Sequence, residues 1–355
     1  MDHAALLARY RPEPTGVVLD HDRQLFQARF SPCGKFLLAG GYDATIQRWD
    51  LRGAAPVRMK PGLGHSAWVP SLVFVPGSER VAAADSWGML SVRSYVEDDP
   101  APVWSNAAAH DGWIRALATG PDGTLLATGG NDRTVRVWNA TDGTLRKEWP
   151  HPDQVFALAF APDGATLFSG GLTGIVREWD PATGVLRREI DTKVLYRRDK
   201  IQECGGVRSI VFDAEGKRFA CAGQKNPGGG FSTGVPCIVV YDRASGEPLR
   251  EMPVGGNDDG FAYDAAFHPA GFVMGTSCAF PGKGHVWFWR PEDDKPFHQA
   301  NTIPNGRSLS PHPDGKRLAL CVSLAPNANG RQLVDGKYPG GSSKIHILTF
   351  PEVAA

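Results

Sequence analysis

Net charge is the first thing this 355-residue chain lacks, since 38 Lys and Arg balance 38 Asp and Glu. Without an excess of either sign there is no broad electrostatic pull toward nucleic acid or an anionic membrane, and neither is expected as a partner. Long apolar runs are also missing, none approaching the roughly 20 residues of a membrane-spanning helix. The opening residues, MDHAALLARYRPEPTG, hold no basic segment followed by an apolar stretch of the kind that directs export. A cytoplasmic location is therefore expected. Cysteine is sparse and scattered: Cys33, Cys204, Cys221, Cys237, Cys278 and Cys321 fall into no CxxC or Cys/His pattern. Free thiols are predicted rather than a disulfide framework or a metal site.

The familiar catalytic signatures are absent or misplaced. Each Gly-Lys pair is followed by a residue other than Ser or Thr, so no phosphate-binding loop is present, and there is no HExxH. One G-x-S-x-G match, residues 230–234, lies in a glycine-rich insertion between two strands and not on the strained strand-to-helix turn that a nucleophile elbow needs. The acidic clusters Asp258-Asp259 and Glu97-Asp98-Asp99 read as solvated turns, because adjacency in sequence does not supply the spacing of a carboxylate pair. No catalytic residue, cofactor or metal is predicted.

What the chain has is turns and repetition. Its 42 glycines and 28 prolines are spread along the whole length, which predicts frequent tight turns. The segment FSPCGKFLLAGGYDATIQRWD (Phe30 to Asp50) returns as TGPDGTLLATGGNDRTVRVWN (Thr119 to Asn139) and FAPDGATLFSGGLTGIVREWD (Phe160 to Asp180), with weaker copies beginning near Phe74, Phe212, Phe267 and Pro311. Each reads as a short apolar strand, a Pro-Asp-Gly type turn, an alternating strand ending in small residues, a second turn and a V-x-V-W strand. The turn position falls at Pro32, Pro76, Pro121, Pro162, Ala214, Pro269 and Pro313, close to the roughly 40 to 45 residues of a four-stranded propeller blade.

These copies resemble the WD-repeat family from about Gly16 onward. The third copy carries the family's full set, His110, Thr128, Asp132 and Trp138. The resemblance implies that these four form a hydrogen-bonded structural chain. His lies eleven residues before the turn proline in four copies, at His21, His65, His110 and His151. Other positions depart, with Thr173 in the Asp place before Trp179, and Arg93 where Trp is expected. The expected fold is all-β, a seven-bladed β-propeller of four-stranded antiparallel blades. Residues 1–14 would be an N-terminal extension and 15–355 a single WD-repeat propeller domain. An open ring would leave unpaired strand edges. The strand Thr15 to Leu19, with nothing of its own to join, should complete the last blade, while His3 to Tyr10 could form a helical turn or two.

The resemblance implies a non-catalytic scaffold or adaptor that docks a partner protein or peptide on the top face of the ring. Counting from the His position places Trp68, Trp113, Arg115, Arg208, Phe261, Tyr263 and Arg307 at the start of the innermost strands. Trp, Tyr and Arg dominate interface hot spots, and Arg binds carboxylates bidentately. A partner segment with an acidic or carboxylate group is thus expected. In the competing reading the aromatics plug the channel mouth and the arginines pair with acids such as Asp258 and Asp259. Long segments in the fifth to seventh copies (224–236, 279–284, 323–343) and before the fifth (191–206) would crowd one sector of that face. A propeller hydrolase or lyase built in those loops, and a structural subunit of a larger assembly, are the alternatives.

Overall fold

Strands of four to eight residues with period-two alternation, separated by turns, cannot bury both faces alone and must stack against one another. The computed structural model describes residues 2–198, 203–226, 233–279, 282–323 and 342–351. In it the strands form seven four-stranded antiparallel sheets arranged as a β-propeller. The innermost strands are Leu25–Phe30, Ser71–Val75, Ile114–Thr119, Val155–Phe160, Ser209–Phe212, Phe261–Phe267 and Gly306–Pro311. They define blades 1 to 7.

Alternation divides each blade between its two neighbours. In blade 2, Val81 and Ala83 pack with Phe36, Leu38 and Ile46 of blade 1, while Ala82 and Ala84 pack with Ile114, Leu126 and Trp138 of blade 3. The core is correspondingly a set of seven apolar clusters, one at each blade-to-blade junction. The small residues that end the second strand of a repeat have a specific cause. A Cβ on Gly129 would lie 2.5 Å from Val155 Cγ1, and one on Gly170 would lie 2.6 Å from Val207 Cγ1. Valine at the entrance of the next blade occupies the space that a side chain would need.

The ring is closed by the N-terminal strand, Glu13–His21, which pairs antiparallel with Ser343–Thr349 from Glu13 opposite Thr349 to His21 opposite Ser343. The register shifts between Pro14 and Val18, where Gly16 adopts a φ of +82° that glycine tolerates without strain. Leu19 joins Leu25, Trp49, Cys321 and Ile345 in the junction of blades 7 and 1. His3–Tyr10 is an α-helix whose Ala5 N–H is capped by the Asp2 carboxylate at 2.8 Å. Leu6 and Tyr10, one turn apart, bury against Phe272 and Phe350 in the junction of blades 6 and 7.

Of the four long segments, the one before blade 5 forms a two-stranded hairpin, Tyr196–Arg198 with Glu203–Gly205. The second and third strands of blade 5 run on through Lys225 and restart at Val235. Most of the remaining length, residues 227–232, 280–281 and 324–341, lies outside the described residues, as do Gly230 to Ser232 of the G-x-S-x-G match.

Candidate docking surface at the channel mouth

Antiparallel order puts the loop that enters each innermost strand, and the turn between its second and third strands, at the same end of the ring. Polar clusters anchor that end in the first four blades. In blade 3, Trp138 Nε1–H donates to Thr128 Oγ1 at 2.9 Å, Thr128 Oγ1 meets His110 Nε2 at 2.6 Å, and His110 Nδ1 meets Asp132 Oδ1 at 2.9 Å. Burial lowers the His110 pKa, so the ring is neutral; its Nδ1–H faces the carboxylate and its Nε2 accepts from threonine. Arg136 adds a 2.9 Å pair to Asp132.

Elsewhere the cluster is rebuilt from other positions. In blade 4, where Thr173 replaces the expected Asp, the carboxylate comes from Asp153, 2.9 Å from His151 Nδ1. In blade 2, Asp85 meets His65 Nδ1 at 3.2 Å and Ser91 Oγ lies 2.9 Å from Nε2. In blade 1 Ala39 leaves no hydroxyl in the threonine position, and His21 turns Nε2 directly to Asp43 at 3.0 Å. All four histidines are buried.

Inside this frame a channel of about 760 Å³ runs along the axis, lined by the innermost strands of all seven blades. Its mouth is a circuit of rings and guanidinium groups. Phe26 stacks on Tyr42 at 4.4 Å, Tyr42 lies 4.6 Å from Trp68, and Trp68 5.8 Å from Trp113. Arg115 Cζ stands 4.0 Å from the Trp113 ring and 5.2 Å from Phe156; Arg208 Cζ stands 4.4 Å from Phe156 and 4.9 Å from Phe261. Phe261 lies 5.7 Å from Tyr263, and Arg307 Cζ 4.7 Å from Tyr263. Electrostatic interaction between Arg307 and Tyr42 closes the loop. All seven residues singled out from the sequence lie on this circuit. Phe26, Tyr42 and Phe156 complete it. Trp87, 71% exposed, sits just outside it, where Ser86 N–H donates to Trp68 O at 2.8 Å.

Among the described residues, neither Arg115 nor Arg208 pairs with Asp258 or Asp259. Arg115 Nε donates to Asn131 Oδ1 at 2.6 Å and Arg208 to Gly205 O at 3.0 Å, whereas Asp259 pairs with His285 at 3.5 Å. Burial, followed by the neighbouring charge of Arg208, lowers the Arg115 pKa to about 10. Trp113 Nε1 and Arg208 Nε are buried without a hydrogen-bond partner among the described residues. No group of three or more metal-ligating side chains occurs among the described residues, and none of their helices is long and apolar enough to cross a membrane.

Staggered repeats, junction cores and the His-hydroxyl-Trp chain together define a WD-repeat β-propeller. The family model described as "WD domain, G-beta repeat" matches residues 13–50, 104–139 and 143–180. Each matched stretch begins on the outer strand of one blade and continues into the next, which is the stagger that closes the ring. Among curated relatives, the nuclear distribution protein PAC1 of Arthroderma otae is 31% identical over 127 residues, 31% of this chain and 27% of its own length. PAC1 of Arthroderma benhamiae is 29% identical over 126 residues with the same two shares. The nuclear distribution protein nudF of Emericella nidulans is 27% identical over 132 residues, 32% of this chain and 29% of its own. The chain thus spans little more than a quarter of the length of the relatives it matches.

Proposed function

We propose that the protein is a non-catalytic, cytoplasmic scaffold that docks a partner protein or peptide segment at the channel mouth, through Trp68, Trp113, Arg115, Arg208, Phe261, Tyr263 and Arg307. The observation that carries this reading is the circuit itself. Flat aromatic faces and guanidinium groups, mostly half-buried and locked against one another by stacking, offer large contact area at low entropic cost. The arginine side chains favour a segment with an acidic group, since they can donate paired hydrogen bonds to it. WD-repeat relatives named for nuclear distribution agree with a role exercised through other proteins. A rigid ring of seven mutually packed junctions suits such a role, because Arg115, Phe261, Tyr263 and Arg307 sit on innermost strands and Trp68, Trp113 and Arg208 lie within three residues of one.

A photo-reactive amino acid placed at Trp68 tests this. It should trap a protein partner under native conditions, while the same group at Val185, exposed on the turn of blade 4 at the far end, should not. Trapping of the same partners from both positions would count against the channel mouth.

A further inference from the structure

We propose that Arg115 and Arg208, both stacked on Phe156, form a subsite for a doubly charged phosphoryl oxyanion. The proposal rests on the docking reading for its place on the molecule and assigns the chemistry that this place selects. Among the described residues, the channel lining contains four arginines and a single carboxylate, Asp264. That carboxylate is already committed. It pairs with Arg29 at 2.7 Å and accepts the Leu309 N–H at 3.1 Å and the Ser209 hydroxyl at 3.4 Å. The deep part of the channel is thereby neutral, and among the described residues no acid pairs with Arg115 or Arg208 at the mouth.

Arg115 and Arg208 have no carboxylate partner among the described residues; their polar contacts are the Asn131 side-chain oxygen and the Gly205 carbonyl. Their distances to the shared Phe156 ring put the two Cζ atoms no more than about 10 Å apart, a gap that one phosphoryl group can span with an oxygen toward each guanidinium. A carboxylate has two oxygens and one charge and saturates a single guanidinium fork. A phosphoryl group has three terminal oxygens and close to two charges at neutral pH, and matches two forks at once. Arg208 Nε, buried with no hydrogen-bond partner among the described residues, is a donor that such a ligand would satisfy. Stacking of Arg115 on Trp113 and of Arg208 on Phe261 holds both groups in place beforehand. The same chemistry is carried by a phosphorylated side chain of a docked peptide or by a small phosphate ester.

Isothermal titration of the full chain at constant ionic strength decides the matter, with inorganic phosphate, acetate and N-acetyl-O-phosphoserine amide as probes. Phosphate should bind one per chain and at least about tenfold more tightly than acetate. The affinity of N-acetyl-O-phosphoserine amide should rise several-fold from pH 5.5 to 7.5, as the second proton of its phosphoryl group leaves at about pH 6. Arg115→Gln and Arg208→Gln should each weaken phosphate at least about tenfold, and should a variant fail to fold, the anion preference and pH profile of the parent chain still decide. Tighter binding of the phosphoserine derivative than of inorganic phosphate supports a peptide-borne group; equal binding supports a small ester. Phosphate no tighter than acetate, or indifferent to both substitutions, overturns the subsite. A flat phosphate titration beside intact partner trapping at Trp68 would remove this inference and leave the docking reading standing.

Discussion

Thr173 donates both its backbone N–H, at 2.7 Å, and its hydroxyl, at 2.6 Å, to one carboxylate oxygen of Asp153. The other oxygen of Asp153 faces His151 at 2.9 Å and Arg177 at 3.4 Å. A carboxylate two residues after the histidine thus takes the place of one six residues before the tryptophan. Asp153→Ala should destabilise the protein by about 2–4 kcal/mol in urea unfolding, because it strands the N–H and hydroxyl of Thr173 and removes the carboxylate that faces buried His151 and Arg177. A loss below 1 kcal/mol would mean that water replaces the carboxylate freely.

The same residue fixes a pH dependence. Burial pushes the Asp153 pKa up, but hydrogen bonds from His151 and Thr173 outweigh it and hold the group at about 2, below its ordinary 3.8. A carboxyl depressed in the folded state adds stability that is complete above its unfolded pKa and disappears as pH falls through the folded one. The stability gap between the parent and Asp153→Ala should therefore be full at pH 7 and close between about pH 4 and pH 2. Urea midpoints measured across that range check it.

Arg93 occupies the register that Trp138 holds in blade 3, opposite Val81 as Trp138 is opposite Leu126. It is 1% exposed, and its Nε and Nη2 find no partner among the described residues. Burial, followed by the charge of Arg48, lowers its pKa. Replacement of such a charge by an apolar side chain of similar length removes a desolvation cost, so Arg93→Met should raise stability by about 1–3 kcal/mol. A lower melting temperature would show that the guanidinium has a counter-group in solution.

Deletion of residues 1–20 removes the closing strand, leaves Ser343–Thr349 with an open edge and takes Leu19 from the junction of blades 7 and 1. The melting temperature should fall by more than about 10 °C. Deletion of residues 1–11 removes only the helix and should cost less, since the strand pairing survives. Equal melting of the shorter truncation and the longer one would contradict velcro-like closure by the strand.

The ring and its closure were legible because they follow from features local in sequence: alternation, turn residues, and a repeat whose phase leaves one strand over at the start and the last copy one strand short. The carboxylates Asp85 and Asp153 were not, because a pattern tied to the tryptophan reads only one of the offsets that bring an acid to a buried imidazole. Tyr42 escaped for a related reason. It lies on the turn after the second strand of blade 1 and reaches the mouth by stacking on Phe26, a contact that counting from His21 does not reach. Whether Arg115 and Arg208 are neutralised depends on which acids the fold brings to the channel, where Asp264 of blade 6 is taken by Arg29 of blade 1, so the composition of the mouth could be read but its charge balance could not. The long segments 227–232 and 324–341 lie outside the described residues and add nothing to either side.

Docking at the mouth of the ring is the claim that most of the functional account depends on, and paired loss of Trp113 and Arg115 probes it most directly. Trp113→Ala with Arg115→Ala should leave blade packing intact, with a melting temperature within about 5 °C of the parent, while recovery of the proteins co-purified from the native source falls at least about tenfold by quantitative mass spectrometry. An unchanged set of partners recovered in unchanged amounts by a folded double variant would contradict it.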